Sequence, residues 1–435
     1  MAYMPDGLEG RPQYALKHAV LASISLAFLA FGFFMDGPAA VMRGLLRIVE
    51  EPAVLITDYI AVGGIGAAFV NAGLLMLLCA AMLFALRVDI GGISVASVFL
   101  VGGFALFGKN LLNVWPVIFG AFLYARVRGE PFAKYVHTAL LATSFAPVVT
   151  EFLFVVDLPL ALRLPLALIS GASVGFLIAP VSAGALKLHR GLTLYNVGFS
   201  VGILGTVYVS VFKSYGYKAY TRLVWSTGAT TPLGLFSAAL FVLMIAAALV
   251  IDRGAPAKAA RIFRYPGTLG SDFIAREGFA QALVNMGLNG LVATAYVLLV
   301  GGPLNGPTLG GILAVAGFGA FGKHLKNILP IFAGVIIGGL TKNWNINDPS
   351  ILFAALFGTS LAPIAGHYGW FWGVVAGFVN SSVVLHCGVL HGGMNLYNTG
   401  FSAGIVAAVM VPILDSFKKK ERRQAMRSVD PPLDA

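Results

Sequence analysis

Gly103-Phe104-Ala105-Leu106-Phe107-Gly108-Lys109-Asn110-Leu111-Leu112-Asn113-Val114-Trp115-Pro116 returns in the second half of the chain as Gly317-Phe318-Gly319-Ala320-Phe321-Gly322-Lys323-His324-Leu325-Lys326-Asn327-Ile328-Leu329-Pro330. Outward from this pair the matches continue in order and at nearly constant spacing. Asp58-Tyr59-Ile60-Ala61 pairs with Asp272-Phe273-Ile274-Ala275, and Val70-Asn71-Ala72-Gly73-Leu74 with Val284-Asn285-Met286-Gly287-Leu288. Downstream, Thr143-Ser144-Phe145-Ala146-Pro147 pairs with Thr359-Ser360-Leu361-Ala362-Pro363. Leu194-Tyr195-Asn196-Val197-Gly198-Phe199-Ser200 pairs with Leu396-Tyr397-Asn398-Thr399-Gly400-Phe401-Ser402. Collinear matches of this extent record an internal duplication, which constrains the fold before any single element is read.

Between the matched motifs the chain is apolar. Of its 435 residues, 58% are hydrophobic and only 11% charged, with a mean hydropathy of +0.86. A soluble domain carries about 25% charged residues, so lipid must be the solvent over most of this surface. Apolar runs such as Ala19–Met35, Leu74–Leu86, Leu164–Ile178, Gly234–Ile251 and Leu291–Val300 recur throughout, and a spanning helix needs roughly 20 such residues. The runs are continuous and lack the alternation of a transmembrane β-strand. Fifty-three glycines suit helices that pack closely in lipid. The formal charge of +11 reads as cytoplasmic loop charge, not as a nucleic-acid surface. Lys418-Lys419-Lys420-Glu421-Arg422-Arg423 is a topology anchor near anionic lipid. Cys79 and Cys387 lie inside apolar runs and point neither to a disulfide framework nor to a metal site. The polar start through Lys17 lacks a small-residue cleavage signature, so the first apolar run reads as a retained helix.

The fold class is therefore all-α. We expect a polytopic transmembrane helical protein of two inverted homologous repeats, with about 10–14 membrane segments, the number depending on whether the segments around each Phe-Gly-Lys are re-entrant hairpins or full spans. Residues 1–17 read as a cytoplasmic N-terminal segment, 18–215 as the first repeat, 216–232 as a connecting loop, 233–414 as the second repeat and 415–435 as a basic cytoplasmic tail. Apolar segments fall near 18–36, 60–86, 92–107, 111–126, 136–152, 160–182 and 196–212. Their counterparts fall near 233–251, 279–300, 309–321, 327–341, 350–365, 370–386 and 396–414. The segments around each Phe-Gly-Lys are short, as in a hairpin that enters and leaves on one side. Arg126, Arg128 and Lys134, then Lys187 and Arg190, then Arg253, Lys258, Arg261, Arg264 and Arg276 mark cytoplasmic loops. In 37–58, Glu50, Glu51 and Asp58 outweigh Arg43 and Arg47, and 152–158 carries only Asp157. Since 37–58 corresponds to 252–277 with the opposite sign, the halves insert in opposite orientations. Lys213, Lys218 and Arg222 fall in a loop that this scheme places outside.

Polar groups in hydrocarbon are expensive unless paired, so they are the candidate site. Lys109 and Lys323 lead, followed by Asn113 and Asn327. A spacing of four puts lysine and asparagine on one face if the segment is helical. The preceding glycine permits a break whose free amides could take an anion, and Pro116 and Pro330 would bend the next helix. The competing reading has both lysines snorkelling to opposite surfaces. Tyr195-Asn196 and Tyr397-Asn398 come second, as walls and hydrogen-bonding groups of a pathway or as interfacial tyrosines and helix caps. Asn71 and Asn285 are further candidates for solute contact. They equally suit interhelical hydrogen bonding, as do Thr143, Ser144, Thr359 and Ser360. Gly198, Gly202, Gly400 and Gly404 suit close packing.

Glu151 corresponds roughly to His367, a pairing that would serve a proton relay or simply two loop edges. His386 and His391 are off the one-turn spacing of a helical zinc pair, and no metal is assigned. No nucleophile elbow, P-loop or dinucleotide fingerprint appears. Neither enzymatic activity nor a cofactor is therefore expected.

The paired Phe-Gly-Lys and Leu-Tyr-Asn-X-Gly-Phe-Ser motifs resemble those of a family of uncharacterised bacterial multi-pass membrane proteins. More distantly, Gly63-Gly64-Ile65-Gly66 through Val70-Asn71-Ala72-Gly73-Leu74-Leu75, with Leu194-Tyr195-Asn196-Val197-Gly198, is similar to urea transporters. That resemblance implies inverted repeats, half-membrane elements and a central pore. The paired Asn-Pro signature of urea transporters is missing, and the lysine pair is not theirs. The reading is a transporter or channel of the inner (plasma) membrane for a small polar solute, tilted toward an anion by the lysines. A urea-like neutral-solute channel is the first alternative, an intramembrane enzyme the second. The expected partners are the solute and the lipid bilayer, with association into a homo-oligomer left open.

Overall fold

The structure is a computed structural model that describes residues 11–219 and 222–429, with side chains from 12 and up to 417. Residues 1–10 of the N-terminal segment and 430–435 of the tail lie outside the described residues, as do the side chains of the Lys418–Arg423 run. Among the described residues there is no β-strand, only an isolated bridge between Thr57 and Val224.

The first half comprises α1 (Arg11–Glu50), α2 (Tyr59–Gly63), α3 (Ile65–Ala85), α4 (Gly92–Phe104), α5 (Trp115–Val127), α6 (Val136–Ala142), α7 (Pro147–Phe154), α8 (Leu160–His189) and α9 (Asn196–Ser214). The second comprises α10 (Thr230–Ile251), α11 (Ala255–Ala259), α12 (Phe273–Glu277), α13 (Phe279–Leu299), α14 (Gly306–Gly317), α15 (Leu325–Thr341), α16 (Pro349–Leu356), α17 (Ala362–Tyr368), α18 (Trp370–Leu390) and α19 (Asn398–Val429). With α11 set against the stretch of α1 that follows its break at Gly37, the two series correspond one to one. The fold is thus all-α and internally duplicated.

Nine helices among the described residues are long and apolar enough to cross a membrane, and α6 with α7, bent by 43°, makes a tenth if taken as one span. Four shorter apolar helices, Gly92–Phe104, Trp115–Val127, Gly306–Ala320 and Leu325–Thr341, flank the Gly-Lys breaks. Outward positions are frankly apolar: Phe34, Val250 and Leu299 are 84%, 87% and 86% exposed. Such faces are stable against lipid and would aggregate in water. The chain is a multi-pass membrane protein.

The expected loop 37–58 is a correction. Gly37 adopts φ 69° and interrupts α1, but the helix resumes through Pro38 and runs to Glu50. Proline at the first helical position lacks only an amide that would be unpaired anyway, so it starts a helix as readily as it breaks one.

At the centre α14 is buried along its whole length and α4 at every position but Ile93. They cross where glycine meets glycine: a Cβ on Gly103 would lie 2.7 Å from the Gly310 carbonyl oxygen, and one on Gly310 would lie 2.6 Å from that of Gly103. Gly317 packs on Phe99, while Gly306 lies against Leu106. Residue numbers rise along one helix as they fall along the other. Equivalent helices of the two halves are therefore antiparallel, the relation that an inverted pair requires.

Candidate functional site

Each short central helix ends in a break that asparagines hold open. In the first break the amide of Lys109 donates to Phe104 O at 3.0 Å; in the second, Lys323 donates to Phe318 O at 2.9 Å. Gly108 and Gly322 take φ of 159° and 139°. The carbonyls exposed by the turn need donors, because unpaired ones in an apolar core are costly. Asn71 Nδ2 donates to Ala105 O at 2.7 Å and Lys109 O at 2.8 Å. Asn285 Nδ2 donates to Gly319 O and Lys323 O at the same two distances. Asn113 Nδ2 binds Gly108 O at 3.0 Å and Asn327 Nδ2 binds Gly322 O at 2.9 Å. The four asparagines are thus engaged with backbone.

This geometry corrects the one-face expectation. Lys109 and Lys323 are not helical, while Asn327 sits in the first turn of α15, its Oδ1 accepting from the His324 amide at 2.9 Å. Pro116 lies in the first turn of α5 and bends nothing, whereas Pro330 is inside α15.

Neither lysine snorkels. Lys109 and Lys323 are both 0% exposed, and no carboxylate pairs with either among the described residues. Between them runs a row of rings. Lys109 Nζ lies 5.0 Å from the Phe104 centroid, Phe104 packs on Tyr397 at 4.8 Å, and Tyr397 packs on Tyr195 at 4.9 Å. Tyr195 packs on Phe318 at 4.8 Å, whose centroid is 5.2 Å from Lys323 Nζ. Lys323 Nζ also donates to the Tyr195 hydroxyl at 2.7 Å. Lys109 Nζ has no hydrogen-bond partner among the described residues.

Tyr195 and Tyr397 are therefore central, not interfacial. The asparagines beside them tie α9 and α19 to the preceding helices. Asn196 Nδ2 donates to Ser182 O at 3.0 Å while its Oδ1 meets His189 Nε2 at 2.9 Å. Asn398 repeats this with Val384 O at 3.2 Å and His391 Nε2 at 2.9 Å. The pair His189 and His391 escaped the sequence reading, which set His391 beside His386; aligning on Leu-Tyr-Asn would have shown it. Among the described residues no three His, Cys, Asp or Glu side chains are placed to hold a metal. Glu151 is buried in α7 and accepts from Tyr217 at 2.7 Å, not at a loop edge, whereas His367 is exposed.

A cavity of about 190 Å³ opens onto the tyrosines, lined by His137, Thr138, Leu194, Tyr195, Asn196 and Tyr397 among others. His137, which the sequence reading passed over, meets Ser94 Oγ at 2.8 Å. The duplicated aspartates also gained no role from sequence. Asp58 accepts from the Ile60 amide at 3.0 Å and reaches the start of α14 at Gly306 N, 3.2 Å. Asp272 accepts from the Ala275 amide at 3.0 Å and reaches the start of α4 at Gly92 N, 2.8 Å. Each half thus caps the central helix of the other, where a carboxylate favours the free amides and the dipole.

The family model described as Protein of unknown function (DUF1576) matches residues 38–214 and again 252–416. The chain belongs to that family, and the double match coincides with the duplication. No curated protein and no solved structure matches it.

Proposed function

We propose that the protein carries a small anionic solute across the inner (plasma) membrane along a path between its halves, without converting it. Lys109 and Lys323 would be the charges that hold the solute, and the basic segments would face the cytoplasm. The observation that carries this reading is the pair of wholly buried lysines, free of carboxylate partners among the described residues, at the two ends of the ring row. An ammonium enclosed in apolar surroundings retains its charge only when a counter-charge or water compensates the lost hydration. An arriving anion is such a counter-charge. The cavity that reaches Tyr195, about 190 Å³, is below the roughly 300–1,000 Å³ of pockets for drug-sized ligands and suits a solute of a few heavy atoms. The path lies within one chain, so an assembly of several copies would hold several independent paths.

The test is thermal unfolding of the purified protein in detergent with acetate, succinate or inorganic phosphate, and with urea as the neutral probe. A bound ligand raises the midpoint in proportion to its affinity for the folded state. An anion should stabilise the wild type, and Lys323→Met or Lys109→Met should weaken that effect. A shift with urea alone, unchanged in both variants, would overturn the anion reading in favour of a neutral-solute channel.

A further inference from the structure

The two routes to the ring row differ in what fills them. On one side stand His137, Thr138, Leu141 and Phe321, and the cavity lies between them. The positions that the duplication makes equivalent are Phe353, Ala354, Phe357 and Phe107. Here the rings close on one another: Phe107 to Phe353 is 5.5 Å between centroids, Phe353 to Phe357 is 5.3 Å, and Phe104 to Phe357 is 5.6 Å. Trp225 adds a further ring, 6.2 Å from Phe353. It comes from the connecting segment, whose backbone is pinned here. Ile56 N donates to Arg222 O at 2.9 Å, Val224 N to Ile56 O at 2.9 Å and Asp58 N to Val224 O at 3.1 Å. The carboxylate of Asp58 also accepts from Ser226 N at 3.0 Å.

The polar partners change along with the rings. Ser94 bonds His137 across the open route, whereas its counterpart Thr308 is drawn into the Asn305 capping box of α14. Asn196 is half-buried beside the cavity, and its counterpart Asn398 is 8% exposed. These differences are written in residue identity, so no rigid rocking of equivalent halves would exchange them. A constriction of packed rings excludes water and with it any hydrated ion.

We propose that the solute reaches the lysine pair through one mouth, lined by His137 and Thr138, and that Phe107, Phe353, Phe357 and Trp225 form a hydrophobic seal at the other. The open mouth includes Leu194 and Leu269, adjoining the basic segments at Lys187–Arg190 and 252–277, and it therefore faces the cytoplasm. This inference rests on the transport reading for its purpose, but its test reads the mouths directly.

The test uses the full chain with Cys79→Ala and Cys387→Ala, carrying Thr138→Cys or Ala354→Cys, in oriented membrane vesicles. The probe is a membrane-impermeant methanethiosulfonate bearing a sulfonate, itself a small anion. Thr138→Cys should react in inside-out vesicles only, and Ala354→Cys should be protected in both orientations. Adding Phe353→Ala and Phe357→Ala should make Ala354→Cys reactive in right-side-out vesicles. If that variant does not fold, Trp225→Ala, which removes the outermost ring, should raise the reactivity of Phe353→Cys from the same face. Protection of Thr138→Cys, reaction of Ala354→Cys with the rings intact, or no gain on removing rings would each overturn the one-mouth arrangement. Loss of anion stabilisation with the labelling pattern intact would instead remove only the transport reading.

Discussion

In the first Gly-Lys break Asn71 reaches two carbonyls at 2.7 and 2.8 Å; in the second Asn285 does so at the same distances. Asn113 and Asn327 cap the same turn in both copies. Past the backbone the copies part. Lys323 holds the hydroxyl of Tyr195, while Lys109 holds no hydrogen-bonding group among the described residues. Lys323 O has a second donor in Asn289 at 3.0 Å, and the first half has Leu75 at that position. The duplication has kept the hydrogen bonds that make a broken helix tolerable in lipid and let the surrounding side chains diverge. A scaffold that must satisfy every carbonyl tolerates little change, whereas the side chains packed around it can differ freely.

The largest expected effect concerns the inverted relation itself and is all-or-none. In a background lacking Cys79 and Cys387, Glu50→Cys and Ala257→Cys, both at exposed positions, should label from opposite faces of the membrane. Labelling from the same face would break the comparison at its root and leave a parallel duplication.

Next comes stability. Asn71→Leu removes the side-chain donor from both Ala105 O and Lys109 O, and each stranded buried acceptor costs about 1–3 kcal/mol. Asn285→Leu strands fewer groups, since Asn289 still serves Lys323 O. Thermal midpoints in detergent should fall in both variants and further for Asn71→Leu. An equal fall would mean that Asn289 contributes nothing.

The lysines should separate stability from affinity. Replacing an unpartnered buried cation by an apolar chain of similar volume is neutral or stabilising, so Lys109→Met should unfold no lower than wild type. In both Lys→Met variants the affinity for a stabilising anion should drop by roughly 10- to 150-fold, the equivalent of about 1.5–3 kcal/mol for a charge-assisted hydrogen bond. Arginine should restore it poorly, because a planar fork does not replace a compact ammonium. Titrating the anion-induced shift in midpoint measures all of these.

The smallest effect distinguishes the tyrosines. Tyr195→Phe removes the bond to Lys323 and should weaken anion affinity by about tenfold. Tyr397→Phe, with no such bond to Lys109, should change it little. Equal effects would show that the two lysines are equivalent when the solute is bound.

Much of the architecture was legible in the sequence because hydropathy and duplication act along the chain. The apolar segment near 279–300 is the helix Phe279–Leu299, and that near 370–386 is Trp370–Leu390. Misreading began where a local signal has two physical outcomes. Gly37-Pro38 looked like the end of a helix and is a kink that restarts one. Lys109 and Asn113 looked like one helical face, but glycine had removed the helix. Lysine near a short segment suits a surface and a buried break equally well in one dimension.

By itself, the sequence determined that this is an all-helical membrane protein built twice over, since lipid solvation and repetition depend only on residue identity and order. It also identified the lysines, tyrosines and asparagines that recur in both halves. Only the tertiary structure decided what each does. Burial, with both lysines at 0% exposure, depends on which helices enclose a residue. Whether an asparagine binds a carbonyl or lines a path depends on atoms brought from distant segments, as with Asn71 and Lys109. The difference between His137 beside a cavity and Phe353 inside a ring cluster was present in the letters. It acquired meaning when the fold set the two positions at opposite ends of the same row of rings, Phe357 packing on Phe104 and Phe321 on Phe318.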